Sequence, residues 1–321
     1  MAAIVPSPNQ SSDIYPSPDN MGISGQGGRL TSFCVWADGN FAPIEFLLPQ
    51  IRVQSQIRPF TFERRFADSG QTPPTQQELD ALRPWAYQIE FGSASTRGNR
   101  DNDEWIYHRY RASTLVGLAA EIAGDRRSSM SVLDVACHCG VFALEFSELG
   151  FGDVRGVDLR LENIAQAKYL AQRFGVDNVR FSVDNARDLK AMEKADIIFC
   201  GGLIYHITFP IEILRDIYDR TEEFAIIDTV AQRHPFSGFE IVASRDVSSS
   251  LEGEASVEFS PTYRGMIDTI HAAGFTEVYE IVGSCAAESP HYRAYTTRSF
   301  LAVKKRDGVF KAFRERAMAQ S

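Results

Sequence analysis

Between residues 131 and 304 the apolar positions fall into short runs that alternate with longer, helix-spaced ones. Runs at 131–136, 154–158, 179–183, 195–200 and 224–230 are too short and too continuous for exposed helices and predict buried strands. Between them, 141–149, 161–174, 210–220 and 263–273 carry apolar residues three and four apart and predict helices. Strand and helix in strict alternation demand a parallel sheet covered on both faces. Two further runs, 276–282 and 298–304, are joined through Ser289-Pro290 without a convincing helix and predict an antiparallel pair.

Ahead of this region, Ile106, Tyr110, Leu115, Leu118, Ala119 and Ile122 mark a helix over about 104–123, stopped by Gly124. Further back, Thr31 to Trp36 and Phe41 to Leu48 flank Asp38-Gly39, a hairpin signal, and strands are predicted at Phe60 to Phe66 and Trp85 to Phe91, with a loop at 93–102. Residues 1–28, rich in Ser, Pro, Asn and Gly, lack the apolar surface to offset their ordering entropy and are expected as a disordered tail. The expected organisation is this tail, an N-terminal extension over 29–103 that is a candidate lid, a core domain over 104–306, and a C-terminal tail over 307–321. The six basic and two acidic residues from Lys304 to Arg316 read as a solvated end. No internal repeat is found.

The composition, 44% hydrophobic and 23% charged, is that of an ordinary globular chain and separates no function class. A net charge of −9 is more informative, because nucleic acid and anionic membranes are held by Lys and Arg; it argues against both partners. Five cysteines, Cys34, Cys137, Cys139, Cys200 and Cys285, do not suit a disulfide framework, no apolar run approaches the roughly 18 residues of a membrane span, and the expected compartment is the cytoplasm.

Chemistry concentrates at the carboxyl ends of the predicted strands, where open α/β sheets bind ligands. After the first strand, Asp134-Val135-Ala136-Cys137-His138-Cys139-Gly140 forms a tight turn into a helix, with Gly140 expected to let the backbone approach a ligand. Asp158 ends the second strand, where an acid can accept from ribose hydroxyls; the alternative is a surface acid at a strand end. A dinucleotide would call for G-x-G-x-x-G, which is absent, and the acid-bearing turn suits a positively charged nucleoside better than a pyrophosphate. Cys137-His138-Cys139 has metal-ligand chemistry, but three residues of one turn do not converge on one ion and no metal is expected.

These motifs resemble the class I S-adenosylmethionine-dependent methyltransferases, in particular bacterial members with a Leu-Tyr-His-like signature after the fourth strand, here Ile204-Tyr205-His206. The resemblance covers about 200 residues. The family's V-L-D-x-G-C-G-x-G is matched at Asp134, Cys137 and Gly140, with Ala136 and His138 standing at the first two glycine positions. It implies a Rossmann-like α/β fold, a seven-stranded mostly parallel sheet with a final antiparallel strand, and S-adenosylmethionine as cofactor. The cofactor residues it implies are Asp134, Ala136, Cys137, His138, Gly140, Asp158, Leu159, the adenine segment Asp184-Asn185-Ala186, and Cys200-Gly201.

On the acceptor side the resemblance places Tyr205 and His206 where a nucleophile arrives, with Tyr87 and Arg97 crossing the pocket from the extension. Tyr263 and His234 are further candidates, the latter catalytic together with His206 and Tyr205, and 233–260 is expected as an acceptor loop. Against these stand plainer roles: Asp134 as a loop-bonding acid, Asp184 as a turn closer, Tyr205-His206 as a shape-forming pair. The expected activity is methyl transfer to a small polar metabolite, such as an amino acid or natural-product intermediate, at O, N, S or C. The alternatives are modification of a tRNA wobble uridine and non-catalytic nucleoside binding in a regulatory protein. The extension is also a candidate homo-oligomer contact.

Overall fold

A computed structural model describes residues 2–5, 33–35, 41–43, 48–96, 102–232, 236–243, 257–293 and 296–319. The N-terminal region contributes β1 (Ala2–Val5), β2 (Phe33–Val35), β3 (Phe41–Pro43), β4 (Gln50–Val53), α1 (Thr61–Asp68), α2 (Gln76–Asp80), β5 (Glu90–Phe91) and β6 (Ala94–Ser95). A long helix follows as α3 (Asn102–Arg111), a π-helical segment Ala112–Val116 and α4 (Gly117–Ala123). The core alternation is β7 (Ser131–Val135), α5 (Val141–Glu148), β8 (Asp153–Asp158), α6 (Leu161–Phe174), β9 (Val179–Val183), β10 (Ala195–Gly201), α7 (Pro210–Arg220) and β11 (Thr221–Val230). The chain then runs through β12 (Phe239–Ala243), β13 (Val257–Pro261), α8 (Tyr263–Ala273), β14 (Glu277–Gly283), α9 (Pro290–Arg293), β15 (Thr297–Val303) and α10 (Val309–Ala319).

The main sheet has the order β1-β4-β14-β15-β11-β10-β7-β8-β9. Its pairs from β11 to β9 are all parallel, and β15 runs antiparallel between β11 and β14. This contains the expected seven strands with the antiparallel one inserted last. Strand alternation explains the two-layer core. Val132, Ile197, Phe199, Phe224 and Ile226 pack on one face with α4, α5, α6 and α10, while Leu133, Val135, Ile198, Cys200, Ala225 and Ile227 pack on the other with α7 and α8. Successive side chains point to opposite layers, so strands apolar at every position are buried on both faces.

Several expectations give way. As described the sheet has nine strands, because β4 adds parallel to β14 and β1 adds antiparallel to β4; of the expected tail, Ala2–Val5 form this edge strand, and residues 6–28 lie outside the described residues. The predicted strand at Phe60–Phe66 is α1: Phe62 and Phe66, four apart, both turn into an aromatic cluster with Phe91 and Phe174, and Glu63 reaches back to accept the Phe60 amide at 2.8 Å at the helix start. Of the strand predicted at Trp85–Phe91, only β5 forms. Side chains take the backbone's hydrogen bonds before it: Thr96 donates to the Tyr87 carbonyl at 2.6 Å and accepts the Ile89 amide at 2.9 Å.

The C-terminal tail is a helix as well. Val309, Phe310 and Phe313 are buried, and Glu223 accepts the Val309 amide at 3.0 Å; this apolar trio was hidden inside the basic run. Within the expected acceptor loop, β12 and β13 form an antiparallel hairpin, residues 244–256 between them lying outside the described set.

Candidate active site

A cavity of about 340 Å³ opens at the carboxyl ends of β7, β8, β10 and β11. Among its lining residues are the expected Tyr87, Ala136, His138, Asp158, Leu159, Asp184, Asn185, Ala186, Gly201, Tyr205 and His206. The fold therefore brings together residues from four strand ends and from the extension.

The turn after β7 is left-handed at all three positions where the family pattern has glycine: Ala136 (φ 58°), His138 (φ 51°) and Gly140 (φ 77°). A side chain in that region costs about 1–2 kcal/mol per residue, so the turn holds strain that its hydrogen bonds offset. Four of its amides are engaged within the protein. Cys137 donates to the Val157 carbonyl (2.9 Å), His138 to Asp158 Oδ2 (2.9 Å), Cys139 to His138 Nδ1 (2.7 Å) and Gly140 to the Cys137 carbonyl (2.9 Å). These four amides do not point out as a nest for a phosphate, and the turn fits a nucleoside without one.

Gly140 has a different role from the expected one. A Cβ there would fall 2.5 Å from the Phe181 ring and 2.9 Å from Ala167, so glycine permits helix and sheet to pack rather than a ligand to approach. Cys137 and Cys200 are buried and also lie outside the cavity wall; burial pushes the Cys200 thiol up to about 12, and both thiols act as packing groups. Cys137, Cys139, Cys200 and Cys285 are all free and buried. Among the described residues no group of three His, Cys, Asp or Glu could hold a metal.

Asp158 anchors the site. Its Oδ1 accepts the Arg160 amide (2.9 Å) and Asn163 Nδ2 (3.0 Å), its Oδ2 the His138 amide, which leaves one lone-pair position on Oδ2 for a ligand hydroxyl. Asp184 accepts from the Ser182 hydroxyl, and Asn185 accepts the Arg187 amide at 2.9 Å to cap the turn at Ala186–Ala191. Asp134 lies behind the wall, buried, with Oδ2 lacking a hydrogen-bond partner; burial pushes its carboxyl up to about 8 against the pull of Arg111 and the Ala143 amide.

The inner end of the cavity is made by residues that pattern reading missed. Tyr107, His108 and Arg111 come from one face of α3, and His291 from α9. Arg111 is buried against Asp228 at 2.9 Å, and Asp228 also accepts from Tyr292 and from Ser299 (2.6 Å). A signal was present: Asp228 is an acid inside an apolar run, and such an acid needs a cation. Tyr205 lies against His206 with ring centroids 3.9 Å apart and planes tilted by 44°, and His206 Nδ1 lies 2.7 Å from Glu258 Oε1 on β13.

Tyr263, expected at the acceptor, is instead buried away from the cavity wall. Its hydroxyl donates to Glu280 Oε2 at 3.2 Å and its ring faces Phe300, because α8 turns this side into the core. Arg97 and His234 lie outside the described residues. No helix among the described residues is long and apolar enough to cross a membrane.

Comparison with known proteins bears on this geometry. A family model described as a methyltransferase domain matches residues 126–250. The chain is 29% identical over 105 residues to a mitochondrial ubiquinone biosynthesis O-methyltransferase of Candida albicans, 32% of each chain. It is 24% identical over 152 residues to a tRNA U34 carboxymethyltransferase of Desulfotalea psychrophila, 46% of this chain and 45% of that one. It thus spans between about a third and a half of the length of these relatives. Among solved structures, the N-terminal domain of EvdMO1 in the presence of SAH and D-fucose superposes with a TM-score of 0.55 at 17% identity, covering 72% of this chain and 94% of that one. The segment matched by the methyltransferase-domain model carries the left-handed turn, Asp158 and the Asp184 bay, and the sheet around it has the Rossmann-like fold of the SAH-bound neighbour.

Proposed function

We propose that this protein transfers a methyl group from S-adenosylmethionine to a small polar acceptor. The observation that carries the reading is the turn after β7, where the amides of Cys137, His138, Cys139 and Gly140 are taken internally while Asp158 keeps one acceptor position beside them. Asp158 would hold a ribose hydroxyl, Leu159 and Asp184 to Ala186 the adenine, and Ala136, His138 and Gly201 the methionine part. The aromatic rings of Tyr87 and Tyr205 in the cavity lining suit a cationic donor. When bound, the donor supplies an already activated methyl group, so the chain's tasks are alignment and exclusion of water. Tyr87, Tyr205 and His206 frame the acceptor's approach.

Calorimetric titration of the full chain with S-adenosylmethionine and S-adenosylhomocysteine, beside an Asp158→Ala variant, tests this. Micromolar binding that weakens in a still-folded variant supports the reading; no binding of either ligand by the wild type removes it. Binding without turnover across an acceptor panel would favour a regulatory nucleoside-binding protein. A tRNA wobble uridine is the second reading, supported by likeness to the tRNA U34 carboxymethyltransferase and by Arg160 and Arg187 at the rim. It requires turnover on unmodified tRNA that falls steeply with salt.

A further inference from the structure

We propose that the cleft between β14 and β15 is a second ligand site, separate from the methyl-transfer cavity, that takes a small carboxylate-bearing metabolite. The sheet itself opens this cleft. β14 and β15 pair from Glu277↔Val303 to Glu280↔Phe300; past that point β14 runs on against β4 to Gly283↔Val53, while β15 holds to β11 as far as Thr297↔Val230. The two strands thus part at the end of the sheet where the first cavity lies. Tyr110 of α3 braces the split: its hydroxyl accepts the Gly283 amide at 2.9 Å, and a Cβ on Gly283 would fall 2.8 Å from its ring. The space that remains is about 470 Å³, larger than the first cavity and of a size that holds a small molecule. Thr297 lines both cavities, and with Tyr292, whose hydroxyl is turned to Asp228, it forms a buried wall between them.

The lining suits an anion. Glu280, buried on the floor, accepts from Arg298 Nη1 (2.9 Å), Gln50 Nε2 (3.1 Å) and the Tyr263 hydroxyl (3.2 Å), so Arg298 is balanced by that carboxylate. Gln50 Oε1 in turn accepts from Arg52 Nη2 at 3.2 Å, which ties side chains of β4, β14 and β15 into one row across the cleft. Arg52 and Arg293 stand exposed at the mouth, and among the described residues neither is paired with a carboxylate. Three arginines against one glutamate leave this lining two charges positive in a chain whose net charge is −9. Planar guanidinium groups meet a carboxylate with two parallel hydrogen bonds. They meet a phosphate as well, but a phosphate site draws on backbone amides, and those of Gly283 and Ser284 are spent on the Tyr110 hydroxyl and the Val53 carbonyl (2.8 Å). Glu280 also repels a dianionic phosphate more than a single carboxylate. Ile281, Val282 and the rings of Tyr110 and Tyr292 supply apolar surface for a carbon skeleton.

The site stands on its own geometry, whatever the first cavity binds, and its test needs no turnover. The full chain is titrated by calorimetry with succinate, citrate, inorganic phosphate and the neutral succinamide, each alone and with S-adenosylhomocysteine in excess. The same titrations are run on Arg52→Gln and Arg293→Gln, whose exposed side chains can be replaced without loss of the fold, as unchanged thermal unfolding verifies. Succinate or citrate is expected to bind with a Kd below about 1 mM and more tightly than phosphate, with no heat from succinamide. Each substitution should weaken that binding about tenfold, the share of one charge-assisted contact, and S-adenosylhomocysteine should change it by less than about twofold. Absence of binding by both carboxylates, or an affinity indifferent to both substitutions, overturns the site. Phosphate bound as tightly as the carboxylates overturns the ligand class. Carboxylate binding abolished by S-adenosylhomocysteine places the anion in the first cavity and overturns the proposal as well.

Discussion

Arg109 and Glu63 tie the N-terminal extension to the helix in front of the domain, and removing one of them should cost stability in a pH-dependent way. Their side chains are 1% and 3% exposed, and Arg109 Nη2 donates to both Glu63 oxygens at 2.8 and 3.0 Å and to the Gln88 carbonyl at 3.0 Å, next to the cavity residue Tyr87. Glu63 also accepts the Phe60 and Glu90 amides, each at 2.8 Å. Burial outweighs these partners and pushes its carboxyl from 4.5 to about 7. Folded Glu63 thus keeps a proton that the unfolded chain has already lost, and its contribution to stability falls as pH rises from 4.5 to about 7. At about 1.4 kcal/mol per unit, that fall is about 3 kcal/mol. An Arg109→Met variant fills the stem's volume but removes the cation, so Glu63 stays protonated at pH 8 and forfeits the ionisation the wild type gains above about 7, about 1.4 kcal/mol more, for a total loss of about 2–3 kcal/mol at pH 8. At pH 5.5 the carboxyl is protonated with or without Arg109, and the loss should shrink to about 1–2 kcal/mol. Urea unfolding at the two pH values, with an unchanged m-value, reads both numbers. Equal losses at both pH values, or a loss below about 1 kcal/mol at pH 8, would refute the reasoning. The double variant Arg109→Met/Glu63→Gln should recover much of the pH 8 loss, since no buried carboxyl then has to hold its proton against the pH.

Gly140→Ala combines a left-handed φ of 77° with a Cβ 2.5 Å from the Phe181 ring, and thermal unfolding should show about 2–4 kcal/mol of destabilisation. Phe310→Ala should cost about 3–5 kcal/mol in guanidinium melts, where a solvated tail would give no change. Thr262 accepts the Gly265 amide (2.9 Å) and donates to the Phe236 carbonyl (2.8 Å), so Thr262→Val should lose about 1–2 kcal/mol and speed hydrogen exchange in the β12–β13 hairpin. Tyr263→Phe removes a hydroxyl bonded to Glu280 outside the cavity and should leave the affinity for S-adenosylhomocysteine within about twofold of wild type by calorimetry, an effect under about 0.5 kcal/mol.

Local pattern was enough for the strand-helix alternation, for burial of the sheet on both faces, and for Asp158 at a strand end. These are encoded within a few residues of one another, by the twofold period of a strand, the 3.6-residue period of a helix and the chemistry of a turn. Even the left-handed turn at Ala136 and His138 was legible as a departure from glycine, although not that its backbone would take the glycine conformation regardless. Pattern failed where two periods overlapped, as at Phe60 to Phe66, and where a short apolar set lay inside a charged run, as at Val309 to Phe313.

Only the tertiary structure decided which distant side chains meet. Glu258 reaches His206, Arg111 reaches Asp228 and Arg109 reaches Glu63 across 52, 117 and 46 positions, and β1 and β4 join an edge formed by strands near the other end of the chain. No period in a linear sequence carries such pairings, because they depend on which faces dock and how far each helix turns its side chains. The same cause moved Tyr263 from the acceptor to the core: one rotation of α8 directs its ring inward, and burial of apolar surface sets that rotation.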